Sequence, residues 1–155
     1  EPQAALLLSA DALWENGFGV VFPELEGDSA FGDVAATLDR IESLAPRTVI
    51  PGHGSVFHDV AQALDTARRR LDGFVRAPQR HALYAAKVLL KYKLLEWQDI
   101  ATADLQAWAA ATPYFGMLRS RHFADQAQPG WVESLLDDLV RSGAAVRNGD
   151  RIRNA

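Results

Sequence analysis

Residues Ala4 to Ser9 (Ala-Ala-Leu-Leu-Leu-Ser) form a continuous apolar run. A short run with no polar alternation is the pattern of a strand covered on both faces, as in a parallel sheet packed between helices. Leu6 to Leu8 are therefore expected to form an interior strand. A domain that opens on its most buried strand is expected to follow on from further chain. The segment Glu1 to Leu8 has neither a basic leader nor a cleavage-site pattern, so it does not read as a signal peptide.

The rest of the first half alternates between helical and extended patterns. Trp14 to Gly27 reads as a loop, with glycines at 17, 19 and 27, a proline at 23 and aromatics between them. Asp28 or Ser29 is placed to cap a helix whose apolar stripe is Phe31, Val34, Leu38, Ile41 and Leu44, and Pro46 stops it. Thr48-Val49-Ile50 is a short β-branched strand ending in Pro51-Gly52-His53-Gly54. Asp59 to Val75 predicts a second helix, with Val60, Ala63, Leu64, Ala67, Leu71 and Phe74 on its buried face. Strand, loop, helix, strand, loop, helix is an α/β layer pattern.

The character changes around Ala77-Pro78. Helices are expected over His81 to Glu96, from Thr102 or Ala103 to Ala111, over Tyr114 to Phe123, and over Trp131 to Ser142, the last stopped by Gly143. Asn148-Gly149 between two short extended runs predicts a hairpin with positive φ at both turn positions. Two domains follow, residues 1–76 and residues 77–155, the second a mainly helical, winged-helix-like unit.

Composition narrows the function classes. The chain has 155 residues, 48% of them apolar and 23% charged, the balance of a globular protein. Its formal net charge of -4 disfavours a general nucleic-acid binder. There is no cysteine, so any metal must be held by His, Asp or Glu. No run reaches the ~20 apolar residues of a membrane span. A cytoplasmic location is expected.

Two residues could carry chemistry. His53 stands between two glycines directly after a strand, where an imidazole is uncrowded and fixed in position; a surface turn that happens to contain histidine is the plainer account. Asp11 follows the first strand and suits either a metal or the capping of the next turn. Both lie at C-terminal strand ends, the edge where open α/β folds bind ligands. Two donors alone do not complete a catalytic zinc site, which takes three protein ligands and a water. His58, His81 and His122 have no ligand spacing with one another.

In this order, Leu7-Leu8-Ser9-Ala10-Asp11-Ala12-Leu13 and Thr48-Val49-Ile50-Pro51-Gly52-His53-Gly54 resemble the metallo-β-lactamase superfamily of hydrolases. The first resembles its bridging-aspartate strand and the second its late Pro-Gly-His-Gly motif. The tail from about Arg80 resembles the C-terminal winged-helix domain of one branch. The superfamily's His-x-His-x-Asp-His motif and its next histidine ligand are absent, and position 10 is alanine where glycine is common.

The resemblance implies the C-terminal half of an αββα sandwich followed by the winged-helix-like unit. It implies Asp11 and His53 as metal ligands, two zinc ions per complete site, and a metal-bound hydroxide attacking an ester, thioester, lactone or related bond of a small-molecule substrate. Trp14, Phe18 and Phe22 are then substrate-pocket candidates, with packing as their alternative role. The missing N-terminal half would be a partner, and zinc would be held weakly or not at all by this chain alone.

Two other classes stand beside that reading. The chain is alternatively a non-catalytic binding or dimerisation module, forming a homo-oligomer through its C-terminal helices, or a nucleic-acid-processing member of the superfamily. Duplex DNA is not expected, because the helix over Trp131 to Ser142 sets Glu133, Asp137 and Asp138 against Arg141. The basic residues Arg68, Arg69, Arg70, Arg76, Arg80, Lys87, Lys91 and Lys93 read as a solvated face, with phosphate contact as the functional alternative.

Overall fold

The computed structural model describes residues 5–155; Glu1 to Ala4, and with them the start of the apolar run, lie outside the described residues. The chain is a mixed α/β protein that divides between Ala77 and Pro78 into two compact units.

In the first unit, strand β1 (Leu6–Ala10) pairs in parallel with β2 (Thr48–Pro51), Leu7 opposite Val49 and Ala10 opposite Pro51. Between them the chain runs through a short helix α1 (Phe22–Glu26) and the longer α2 (Phe31–Leu44); α3 (Val60–Arg76) follows β2. The face predicted for α3 is its buried face, from Val60 through Phe74, and Asp59 caps it by accepting a hydrogen bond from the Gln62 N–H at 3.1 Å. Phe74 stacks on Phe31 and meets Phe18 edge-on, which closes the core between α3, α2 and the loop after β1. Arg68 joins α3 to α2 by a two-pronged pair with Glu42 and a bond to Asp39, and these partners hold its pKa above the ordinary arginine value.

Four expectations change here. Strand β1 is not covered on both faces: Leu6 is 55% and Leu8 75% exposed, while Ser9 on the other face is buried. Its sheet has only β2 beside it, so nothing among the described residues roofs the Leu6–Leu8 face. The loop from Trp14 to Gly27 contains α1, made possible by Pro23 in its first turn. The cap of α2 is neither Asp28 nor Ser29. Glu24 Oε2, from α1, accepts the N–H groups of Ala30 at 2.7 Å and Phe31 at 3.0 Å. Of the α2 stripe, Leu38 and Ile41 are buried and Leu44 is exposed, being the last residue before the turn at Ala45.

The second unit runs α4 (Pro78–Trp97), β3 (Asp99–Ala101), α5 (Thr102–Ala111), α6 (Pro113–His122), α7 (Gln128–Arg141), β4 (Ala145–Asn148) and β5 (Arg151–Asn154). The three strands form an antiparallel sheet in the order β3-β5-β4. Ala82, Ala85 and Ala86 on α4 are fully buried, so small side chains let neighbouring helices approach closely. Trp131 of α7 is buried, stacked on Phe123 and edge-on to Phe115, and Leu135, Leu136 and Ile152 are fully buried in the same unit.

Strand β3 is too short for a periodicity signal and follows Gln98 in a left-handed conformation, φ 61°. Helix α7 begins three residues before Trp131, with Pro129 in its first turn. The hairpin lies one residue later than its sequence signal. Asn148 pairs with Arg151, leaving Gly149-Asp150 as the turn, and only Gly149 has positive φ, 60°. A glycine alone at the first central position suits a type II′ turn.

The three lysines of this unit are engaged. Lys87 pairs with Asp138 at 3.4 Å. Lys91 donates to the Ala144 carbonyl and the Asn154 side-chain oxygen, tying the hairpin to α4. Lys93 pairs with Glu96 and lies over the rings of Trp97 and Trp108. Among the described residues no helix is long and apolar enough to cross a membrane.

Candidate metal centre

Parallel pairing of β1 and β2 puts their C-terminal ends on the same side of the sheet, and both ends turn sharply. Ladder pairing is irregular between Leu8 and Ala10, and Ala10 takes a left-handed φ of 46°. Buried Ser9 holds the following turn: its hydroxyl donates to the Leu13 carbonyl at 2.6 Å, and its own carbonyl accepts the Ala12 N–H at 2.9 Å. Asp11 sits at the tip, and its carbonyl accepts the Gly19 N–H at 3.0 Å.

At the end of β2 the chain doubles back, so that Phe57 exchanges two backbone hydrogen bonds with Val49. His53 stands in the resulting tight loop. Gly52 donates its N–H to the Ala10 carbonyl at 2.8 Å, which stitches the two tips together. Glycine suits this close approach. A Cβ at position 52 would lie 3.0 Å from Asp11 Oδ1 and 3.1 Å from the Ala10 carbonyl carbon.

The two tips bring Asp11 and His53 together, Oδ1 and Nε2 being 3.7 Å apart. Their side chains are 67% and 56% exposed, so an ion pair between them alone would add little stability. Trp14 completes the cluster. Its indole N–H donates to the Ala10 carbonyl at 3.0 Å, and its ring meets the imidazole of His53 edge-on at 5.1 Å.

The other aromatic candidates separate. Phe18 is buried between Phe74 and the guanidinium of Arg70, and it also lines a cavity that reaches Asp11. Phe22 is 37% exposed at the start of α1 and does not line that cavity. Of the remaining histidines, His58 Nδ1 lies 3.1 Å from the Thr48 hydroxyl and braces the loop, His81 is buried in α4, and His122 lies on α6.

Ser9, Gly52 and Glu24 have local roles that single-residue patterns did not single out. Gly52 was visible within its motif. Ser9 and Glu24 act on partners that only the fold brings near.

A zinc ion needs donors at about 2.0–2.2 Å, which sets two donors of one tetrahedral centre roughly 3.4 Å apart. The Asp11–His53 separation is close to that spacing, and oxygen and nitrogen donors suit the ion. A third donor is lacking: no group of three or more His, Cys, Asp or Glu side chains among the described residues could hold a metal. The pair fits part of a zinc shell, and the described residues do not fit a complete one.

No family model matches the chain, and no curated protein gives a significant match. Among solved structures it is similar to a metallo-beta-lactamase family protein from Thermus thermophilus, at 22% identity and a TM-score of 0.34. The match covers 99% of this chain and 43% of that one, so the chain spans less than half of that protein's length.

Proposed function

We propose that Asp11 and His53 are two ligands of a zinc centre in a hydrolase of the metallo-β-lactamase type, and that the remaining ligands come from an N-terminal half that this chain does not contain. The observation that carries this reading is the convergence of the two side chains to 3.7 Å from the tips of two parallel strands, in a space that glycine at position 52 keeps open. The exposed Leu6–Leu8 face of β1 supports it as well, since a further layer of an αββα sandwich would cover that face.

Within such a site a zinc centre supplies, when bound, a water acidic enough to ionise near neutral pH and positive charge beside a developing oxyanion. This chain's residues do the positioning. Ser9 and the Gly19 N–H fix the turn that presents the Asp11 carboxylate. Trp14 limits rotation of the His53 imidazole by packing against it. The substrate is a small molecule with an ester, thioester, lactone or related bond.

In calorimetric zinc titrations the chain alone should take up metal weakly, and both Asp11→Asn and His53→Ala should abolish that uptake. Uptake unchanged in either variant would overturn the assignment.

For the second unit the reading is a winged helix used for packing or self-association. The element order α4-β3-α5-α6-α7-β4-β5 and the sheet order β3-β5-β4 support the first part, and the exposed Tyr92, Leu95 and Trp97 near the end of α4 support the second. Duplex DNA is a poor ligand for it: Arg147, on the hairpin, is paired with Glu133 and Asp137 of α7, which would meet the phosphates. Light scattering of the chain with and without residues 80–155 tests this. A lower oligomeric state on truncation is expected, and an unchanged one would contradict it.

A further inference from the structure

A cavity of about 350 Å³ opens beside Asp11, between the loop after β1 and the first turns of α2. Its walls are mainly Phe18, Val20, Val21, Pro23 and Val34. The polar side chains that line it are Asp11, Asp33 and Thr37, and no lysine, arginine or histidine does so among the described residues. A helix N-terminus is ordinarily attractive to anions. Here the Ala30 and Phe31 N–H groups at the start of α2 are already bound to the Glu24 carboxylate. An anionic group entering the cavity would therefore face Asp11 and Asp33 with no side-chain cation, and with the Ala30 and Phe31 N–H groups already taken.

We propose that this cavity seats an uncharged aliphatic group, the acyl or alkyl part of a neutral ester, thioester or lactone, and selects against phosphoesters. The assignment to a substrate rests on the hydrolase reading of Asp11 and His53; the cavity's preference for a neutral apolar ligand does not. The volume lies at the low end of the ~300–1,000 Å³ typical of small-molecule sites, which suits a short chain. Carbonyl chemistry would then take place at the mouth, where Asp11 is both a cavity wall and His53's neighbour.

The test is a metal-free titration of the full chain, followed by amide chemical shifts, with hexanamide as the neutral probe and hexyl phosphate as the anionic probe of equal chain length. Hexanamide should shift the amides of Phe18, Val20 and Val34, and hexyl phosphate should not at the same concentration. Val34→Trp, which fills the space, should weaken hexanamide by about tenfold or more, the loss of roughly one buried aliphatic group. Asp33→Lys, an exposed first-turn change, should move the preference towards hexyl phosphate and serves as the test if the filled variant does not fold.

Equal binding of both probes, shifts centred away from the cavity, or a preference unmoved by Asp33→Lys would overturn the proposal. With no metal present, the result stands apart from whether Asp11 and His53 take zinc. A cavity that binds hexanamide while zinc uptake is unchanged by Asp11→Asn and His53→Ala would remove the hydrolase reading and keep the ligand preference.

Discussion

The indole ring of Trp14 meets the imidazole of His53 edge-on, 5.1 Å between centroids, while its N–H is anchored on the Ala10 carbonyl one residue before Asp11. One side chain thus braces both strand tips. Trp14→Ala should weaken metal uptake by about tenfold, the scale seen when a ligand loses its supporting neighbour. Trp14→Phe should recover most of the loss, since it keeps an aromatic edge. Calorimetry on both variants checks this, and equal losses would show that the indole N–H, not the ring, is what matters.

Gly52→Ala places a Cβ 3.0 Å from Asp11 Oδ1. The carboxylate can swing into solvent, whereas the Ala10 carbonyl group, 3.1–3.2 Å from that Cβ, is backbone and must give by a few tenths of an ångström. Urea denaturation should give an unfolding free energy within about 1 kcal/mol of the parent. Metal uptake should be lost. Retained uptake would show that the close approach is incidental.

Glu24→Ala removes the acceptor of two N–H groups at the start of α2. The cost should be about 1 kcal/mol, the usual value of a helix cap. Glu24→Gln keeps a side-chain oxygen at the same reach and should lose less. Denaturant midpoints of the two variants check the order.

Burial, followed by the positive charge of Arg121, holds the pKa of His122 below the ordinary 6.5. The unfolded chain therefore binds the proton more readily than the folded one in the range around and below that value. Stability is fully present above pH 6.5 and falls as pH drops through the folded pKa. The thermal midpoint should fall between about pH 7 and about pH 5, and His122→Gln should flatten part of that slope. An unchanged slope in the variant would assign the effect elsewhere.

The sequence was most legible where a pattern is local and repeated. The α3 stripe from Val60 to Phe74 needs only a helical period and one apolar layer to face, and each of those residues is buried. The loops of Asp11 and His53 were visible because each follows a short strand, and parallel pairing then brings two distant loops together. The apolar run of β1 does not carry its burial, because such a run cannot tell which layers will cover it, and Leu8 is exposed. Glu24 gives no capping signal in the sequence, because it lies six residues before its partner, beyond any capping-box spacing. The hairpin moved by one residue because a glycine at the first turn position removes the need for positive φ at Asn148.

The most direct measurement adds cobalt(II) to the isotope-labelled chain and follows paramagnetic broadening of its resonances. The account predicts broadening centred on Asp11, Gly52 and His53, spreading to Trp14, and absent in His53→Ala. Broadening centred on other carboxylates or on His58, with residues 11 and 53 untouched, would contradict it.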